Sequence, residues 1–230
     1  MEKVPNSSPE EIEYQNYHWK RFNFAFQLIR KLKPENALEI GPYTLTHNLV
    51  RAGVQVDTLG FISEKITGVR THSNFDLNQI GGHPEEMLSG NYDLVVVSEV
   101  IEHVVLDLDT IFIQLNKLTK IGGCVLIQTP NAVALKKRAA MFFGKNPFEM
   151  IRNDYRPGYG GHIREFTMDE LVEYAKKNGF EIVSKHRNNY FGYNHSVKAR
   201  IYKIFCDLLP PSFRDGITLV LKKINVASEF

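Results

Sequence analysis

The sequence predicts an α/β fold built on a seven-stranded, mostly parallel sheet, and three observations predict it. Ala37-Leu38-Glu39-Ile40 is a short apolar strand that holds an acid near its end and turns at Gly41 into a helical stretch. The first strand-to-helix unit of an open parallel sheet reads this way. Tyr92-Asp93-Leu94-Val95-Val96-Val97 is nearly a continuous apolar run, as expected of a central strand buried on both faces. Between these and Asn131, strands and helices alternate, which favours parallel strands joined by right-handed crossovers.

In chain order, residues 1–10 are polar and proline-rich and read as a frayed leader. From Glu11 to Lys33 apolar residues recur at helical spacing (Tyr14, Tyr17, Phe22, Phe26, Ile29), so one or two helices stop before Pro34. This aromatic segment either packs on the domain or closes over its site. A helix over Thr46–Ala52 stops at Gly53, and strands follow at Val54–Phe61 and Gly68–Ser73. After the 92–97 strand a helix runs to about Lys120. Gly122-Gly123 then turns the chain into a strand over Cys124–Gln128, ending at Thr129-Pro130-Asn131.

Residues 132–165 break the rhythm with a basic helix (Lys136, Lys137, Arg138), Phe142-Phe143 and a loop rich in Gly, Tyr and Arg. At a strand-end rim such an insertion serves as a lid or substrate wall. Thr167-Met168-Asp169-Glu170 has the capping-box pattern of a helix start, with Gly179 as the stop. A strand at Glu181–His186, a helix at Val197–Leu209 and a strand at Ile217–Lys223 complete the sheet. The predicted organisation is a leader and helical cap over 1–34, then one domain over 35–230 carrying 132–165 as a lid.

Bulk properties narrow the function. Of 230 residues, 43% are hydrophobic and 23% charged, which argues against disorder. A net charge of +2 is too small to imply a nucleic-acid surface. Two cysteines without CxxC spacing fit a reducing compartment better than a disulfide scaffold. Met1–Pro9 lacks a signal-peptide apolar core, and no apolar run approaches the roughly 18 residues of a membrane span; a cytoplasmic location is expected. The Lys136–Arg138 run beside Phe142-Phe143 offers a peripheral membrane contact, although such runs are more often solvated helix faces. His72, His83, His162, His186 and His195 are scattered with no i, i+4 pair, so no metal ligands are expected.

The ordered set Leu38-Glu39-Ile40-Gly41, Tyr92–His103, Gly122–Asn131 and His162-Ile163-Arg164-Glu165-Phe166-Thr167, with Gly179-Phe180, resembles the class I S-adenosylmethionine-dependent methyltransferases over about residues 35–190. It looks closest to a small bacterial branch found in sugar, lipid or quinone biosynthesis. The resemblance implies a Rossmann-like fold, S-adenosylmethionine as cofactor, and methyl transfer to oxygen of a small-molecule, glycan or lipid-linked acceptor. Glu39 would engage the methionine end of the cofactor, with Gly41, Pro42 and Tyr43 forming the turn beneath it. Gly60 falls where the family has its ribose-binding acid. Asp76 would accept from the adenine amino group beside the Leu77 backbone, and Ser98 and Glu99 would line the sulfonium side.

Departures are equally specific. The family's later glycines are Tyr43 and Leu45 here, and their side chains are expected to forbid the closest backbone approach. The ribose acid is missing or displaced. These losses leave open a non-catalytic binding or assembly protein with a degenerate pocket, and less well a nucleotide-dependent reductase. For acceptor chemistry, His103 is the nearest general base, unless it only buttresses the following helix. His162 is a second catalytic candidate. Arg164, Tyr155 and Tyr159 are candidate acceptor contacts, unless Arg164 and Glu165 simply tie lid to sheet.

Overall fold

The computed structural model describes residues 1–4, 7–61, 66–80, 90–148, 151, 161–190 and 197–227. In chain order its elements are α1 (Pro9–Leu32), β1 (Asn36–Ile40), α2 (Thr44–Arg51), β2 (Gln55–Leu59), β3 (Thr71–Ser73) and β4 (Tyr92–Ser98). Then come α3 (Leu108–Leu118), β5 (Thr119–Pro130), α4 (Leu135–Phe142), α5 (Met168–Lys177), β6 (Phe180–Asn188), α6 (Val197–Leu208) and β7 (Gly216–Lys223). The strands form one seven-stranded sheet in the order β3-β2-β1-β4-β5-β7-β6. The β1, β2, β3, β4 and β5 pairings are parallel, and β7 runs against both of its neighbours.

Alternation along the strands builds a core on each face. Leu38, Ile40, Val95, Val97, Val125 and Ile127 point to one side, where α3 and α5 supply Leu108, Phe112, Leu115, Met168 and Leu171. Ala37, Leu94, Val96, Leu126 and Val220 point to the other, against Phe22, Ala25 and Ile29 of α1 and Leu45 and Leu49 of α2. Glu39 shares strand parity with Ala37, so its carboxyl lies on the α1–α2 side, under the first turn of α2. The continuous apolar run of β4 follows from this double burial.

Several local expectations shift. The leader is not frayed where it is described. Ser8 caps α1 through the Glu11 N–H, with Pro9 in the first turn. Upstream, the Val4 N–H donates to Gln15 (2.9 Å) and the Glu2 N–H to Asn48 (2.6 Å), both acceptors on buried side chains. Gly122 and Gly123 lie inside β5 rather than before it: Tyr92 faces Thr119 and Leu94 faces Cys124, so the extra residues bulge out. Gly123 is needed there, since a Cβ would sit 2.8 Å from the Tyr92 carbonyl oxygen. β2 stops at Leu59, β3 is only Thr71–Ser73, and β6 continues to Asn188. No helix among the described residues is long and apolar enough to cross a membrane.

Candidate active site

Parallel pairing lines up the carboxyl ends of β1, β2, β3 and β4, the edge where ligands dock in open α/β sheets. The Gly41 N–H donates to Leu59 (2.9 Å), the Gly60 N–H to Ser73 (3.1 Å), and the Glu99 N–H to Gln128 (2.8 Å), stitching that rim together. Gly41 has φ +76°, and a Cβ there would meet Val100 Cγ2 at 2.8 Å. A Gly41→Ala variant is therefore expected to lose about 1–3 kcal/mol of stability, from strain and contact together. Urea unfolding tests this, and an unchanged midpoint would refute it.

Glu39 is 3% exposed. Burial pushes its carboxyl up to about 8 despite a hydrogen bond from Thr46, and Oε2 has no hydrogen-bond partner among the described residues. A buried carboxyl half satisfied beside a glycine turn is fitted to a cationic group. The turn itself departs from expectation in an informative way. α2 starts at Thr44, not Thr46, because the Tyr43 N–H is taken by the Thr46 hydroxyl (3.0 Å). Leu45 is 1% exposed and belongs to the α1–α2 core. That side chain therefore anchors the helix instead of blocking the rim, and its burial contributes on the order of 2 kcal/mol. Tyr43 packs edge-on against Tyr14 of α1, with ring centroids 5.2 Å apart.

The ribose position holds no acid for a packing reason. Gly60 adopts φ +150° against the turn, where a Cβ would lie 3.1 Å from Pro42 Cδ. Asp57, three residues earlier, has another task. It accepts from Arg70, Thr71 and the Tyr92 hydroxyl, tying β2 to β3 and β4, and these partners, Arg70 first, hold its carboxyl down at about 2. Glu64, the next acid along the chain where a displaced ribose acid could fall, lies outside the described residues. Asp76 is half-buried and takes the Asn78 N–H at 2.9 Å; Leu77 packs against the α3-side core.

At the end of β4, Ser98 donates to the buried Gln128 side chain (3.0 Å). Glu99 follows at φ +56°, a left-handed conformation that few side-chain-bearing residues adopt. Its carboxylate lies 2.9 Å from Nη1 of Arg21 on α1, and Arg21 is 1% exposed. The Nη1 hydrogens do not align with the carboxylate, so this attraction is ionic more than a directed hydrogen bond. Sequence reasoning passed over Arg21; its signal was a cation on the buried stripe Arg21, Phe22, Ala25, Ile29 of α1.

Beyond Glu99 a short 3-10 turn presents Glu102 and His103. The Ile163 and Arg164 N–H groups donate to the Glu102 carbonyl oxygen (2.7 and 3.3 Å), drawing the segment before α5 onto this turn. Glu102 is fully buried; burial pushes its carboxyl up to about 7 against the pull of Thr129, Arg21 and Lys137. His103 Nδ1 lies 2.9 Å from the Gly161 carbonyl oxygen, and His162 Nδ1 lies 2.9 Å from Glu165 Oε1. Their rings meet at 4.9 Å. Glu102, His103 and His162 place one potential ligand atom each within 4.8 Å of one another. The scattered histidines of the sequence thus gave no hint of a grouping that only the fold creates.

Arg164 does not pair with Glu165; it engages Glu170 on α5 and lies over the Phe166 ring at 5.2 Å, while Glu165 pairs with Lys137. Lys137 and Arg138 are both engaged by the protein, Arg138 stacking on Phe213 at 4.4 Å. Tyr155 and Tyr159 lie outside the described residues.

A family model described as a methyltransferase domain matches residues 12–185. Among solved structures, the chain is similar to a SAM-dependent methyltransferase from Archaeoglobus fulgidus, at 13% identity and TM-score 0.57, over 92% of this chain and 99% of that one. It is also similar to the magnesium protoporphyrin IX methyltransferase from Synechocystis PCC 6803 with bound SAH, at 13% identity and TM-score 0.58, over 96% and 90%. A third is the S-adenosylmethionine-dependent methyltransferase from Mesorhizobium loti, at 13% identity and TM-score 0.57, over 88% and 100%. At such identities the likeness speaks for the fold. No curated protein matches the chain at a significant level.

Proposed function

Since the chain belongs to the methyltransferase-domain family, we propose that it transfers the methyl group of S-adenosylmethionine to an oxygen of a small-molecule or glycan-type acceptor. The observation that carries this reading is Glu39: a buried carboxyl with an unpartnered oxygen beside a glycine whose Cβ has no room. The methionine ammonium of the cofactor is a cation of the right kind for it. Gly41, Pro42 and Tyr43 form the floor beside it. On this reading Asp76 and the Leu77 backbone serve the adenine amino edge, and Ser98 and Glu99 the sulfonium side. Gly60 allows the ribose close approach without supplying an acid.

The cofactor, when bound, supplies a methyl group on a good leaving group, so the protein's work is alignment and exclusion of water. Arg21 holds Glu99 in place at the rim, and α1 brings Tyr14 over Tyr43 as part of the roof. His103 keeps its Nδ1 proton on the Gly161 carbonyl, which leaves Nε2 as its basic nitrogen, with the His162 ring centroid 4.9 Å from its own. A hydroxyl acceptor can lose its proton there. Residues 1–34 act as a cap and 132–165 as a lid in this reading, with Tyr155, Tyr159 and Arg164 as acceptor contacts.

Thermal denaturation with S-adenosylhomocysteine tests the proposal. Ligand at 100 times Kd stabilises by about 2.7 kcal/mol, a shift of roughly 5–10 °C for a chain of this size. An Asp76→Ala variant is expected to bind about tenfold more weakly, the loss of one charge-assisted hydrogen bond. No shift at millimolar ligand would favour the degenerate-pocket alternative, for which the missing ribose acid is the specific observation.

A further inference from the structure

We propose that Glu102, His103 and His162 bind one divalent transition-metal ion at the rim of the site, leaving a coordination position open to the acceptor oxygen. The three residues arrive from two chain segments locked together by the Ile163 and Arg164 N–H bonds to the Glu102 carbonyl oxygen. Their ligand atoms lie within 4.8 Å of one another. Ligand atoms around a tetrahedral zinc ion, with bonds of about 2.0–2.2 Å, lie about 3.4 Å apart. Binding the ion therefore asks the side chains to close in by up to about 1.4 Å.

Each residue is prepared for this role. Glu102 has no exposed surface; Oε2 accepts from Thr129 at 3.0 Å, while the buried Oε1 has no hydrogen-bond partner among the described residues. The two cations nearest in its field are committed elsewhere, Arg21 to Glu99 and Lys137 to Glu165. A buried carboxylate in that position calls for a direct counter-charge. A carbonyl oxygen can only accept, so the bond to Gly161 fixes the His103 proton on Nδ1 and makes Nε2 the electron-pair donor. Glu165 does the same to His162 through Oε1. Backbone carbonyls and carboxylates orient metal-binding imidazoles in this way.

Two imidazoles and one carboxylate suit zinc, iron(II), cobalt or manganese better than magnesium or calcium, which prefer all-oxygen shells. Three protein ligands with a fourth position open is the arrangement of a catalytic rather than a structural ion. The consequence for chemistry rests on the methyl-transfer reading above. With the ion bound, His103 Nε2 is a ligand and no longer the base; a hydroxyl acceptor coordinated there would instead release its proton to solvent more easily at neutral pH. Its oxygen then bonds the methyl carbon as the carbon–sulfur bond breaks, the electron pair staying on sulfur as a neutral thioether.

The test uses the full chain, stripped with a chelator, then titrated with zinc by calorimetry and with cobalt(II) by visible absorption. One ion per chain is expected, with ligand-field bands for cobalt. His162→Ala should weaken zinc binding by at least about 100-fold, and Glu165→Gln, a change at the residue that orients His162 without being a ligand itself, by about 10–100-fold. Glu102→Gln, nearly isosteric, should abolish the cobalt bands while the thermal melt shows a folded chain. S-adenosylhomocysteine binding should persist in all three variants. Absence of stoichiometric binding, or equal affinity in His162→Ala, would overturn the site. Metal binding without any S-adenosylhomocysteine binding would leave the site standing and overturn the methyl-transfer reading instead.

Discussion

Replacing Glu39 with glutamine is expected to make the ligand-free protein more stable at pH 8 while removing most of its cofactor affinity. In the unfolded chain this carboxyl ionises near its ordinary value of 4.5, whereas in the fold burial holds it up at about 8. Below both values the group binds a proton in either state and stability does not depend on it. Between them the unfolded chain has released the proton and the fold has kept it, so stability falls as pH rises, and above about 8 the loss is complete. At about 1.4 kcal/mol per pH unit the full term is several kcal/mol. Glutamine keeps the shape and can keep the Thr46 contact while removing the ionisation, so a gain of about 2–3 kcal/mol is expected, or roughly 5–10 °C in Tm. Melting curves of both proteins between pH 5 and about pH 9 would show the wild type declining and the variant flat across this term. A lower Tm for the variant at pH 8 would contradict the account. The same site must bind S-adenosylhomocysteine at least about 30-fold more weakly, since the ammonium loses its charged partner in a dry setting. On the proposed reading, stability is given up here for a charge that the ligand satisfies.

The elements that position Glu39 were legible because they rest on local periodicity. The apolar strand ending in Glu39-Ile40-Gly41 and the run from Tyr92 to Val97 announce their burial in consecutive residues, and the sheet places both centrally. The capping box at Thr167 and Glu170 is equally local. What was not legible depends on partners far away in sequence. Whether Leu45 blocks a ligand or fills a core is decided by Phe22, Ile29 and Val56, which no local spacing reveals. Gly122-Gly123 carries the ordinary signature of a turn, and only pairing with Tyr92 makes it a bulge. The same holds for the site. The candidate positions Glu39, Gly41, Asp76, Ser98 and Glu99 are implied by the family resemblance at strand ends, each within one unit of the chain. Arg21 and Glu102 join the candidate site, and His162 meets Glu102 and His103, only through contacts across the fold, to Glu99, Thr129 and the 163–164 backbone.

Arg21→Met is expected to be among the most damaging single changes in the chain, a loss of about 3–4 kcal/mol. Arg21 and Glu99 are 2% and 15% exposed at their side chains, so neither charge has water to fall back on. Burial alone pulls the guanidinium below its usual range, and nearby Tyr14 and Glu102 oppose that pull. Removing one partner of a buried pair strands the other, which is why such changes typically lose 3–5 kcal/mol. Glu99 is further constrained by its left-handed backbone and by the bond from its N–H to Gln128. A stranded carboxylate there would draw water into the rim and release the α1 roof. The physical claim is that the damage comes from the uncompensated charge, not from lost packing, because methionine keeps most of the volume. A double-mutant cycle with Glu99→Gln separates the two. If the charge is responsible, the Arg21→Met, Glu99→Gln protein recovers at least about 2 kcal/mol relative to Arg21→Met alone, as coupled neighbours do. Additive losses would instead assign the effect to packing of α1 on the sheet.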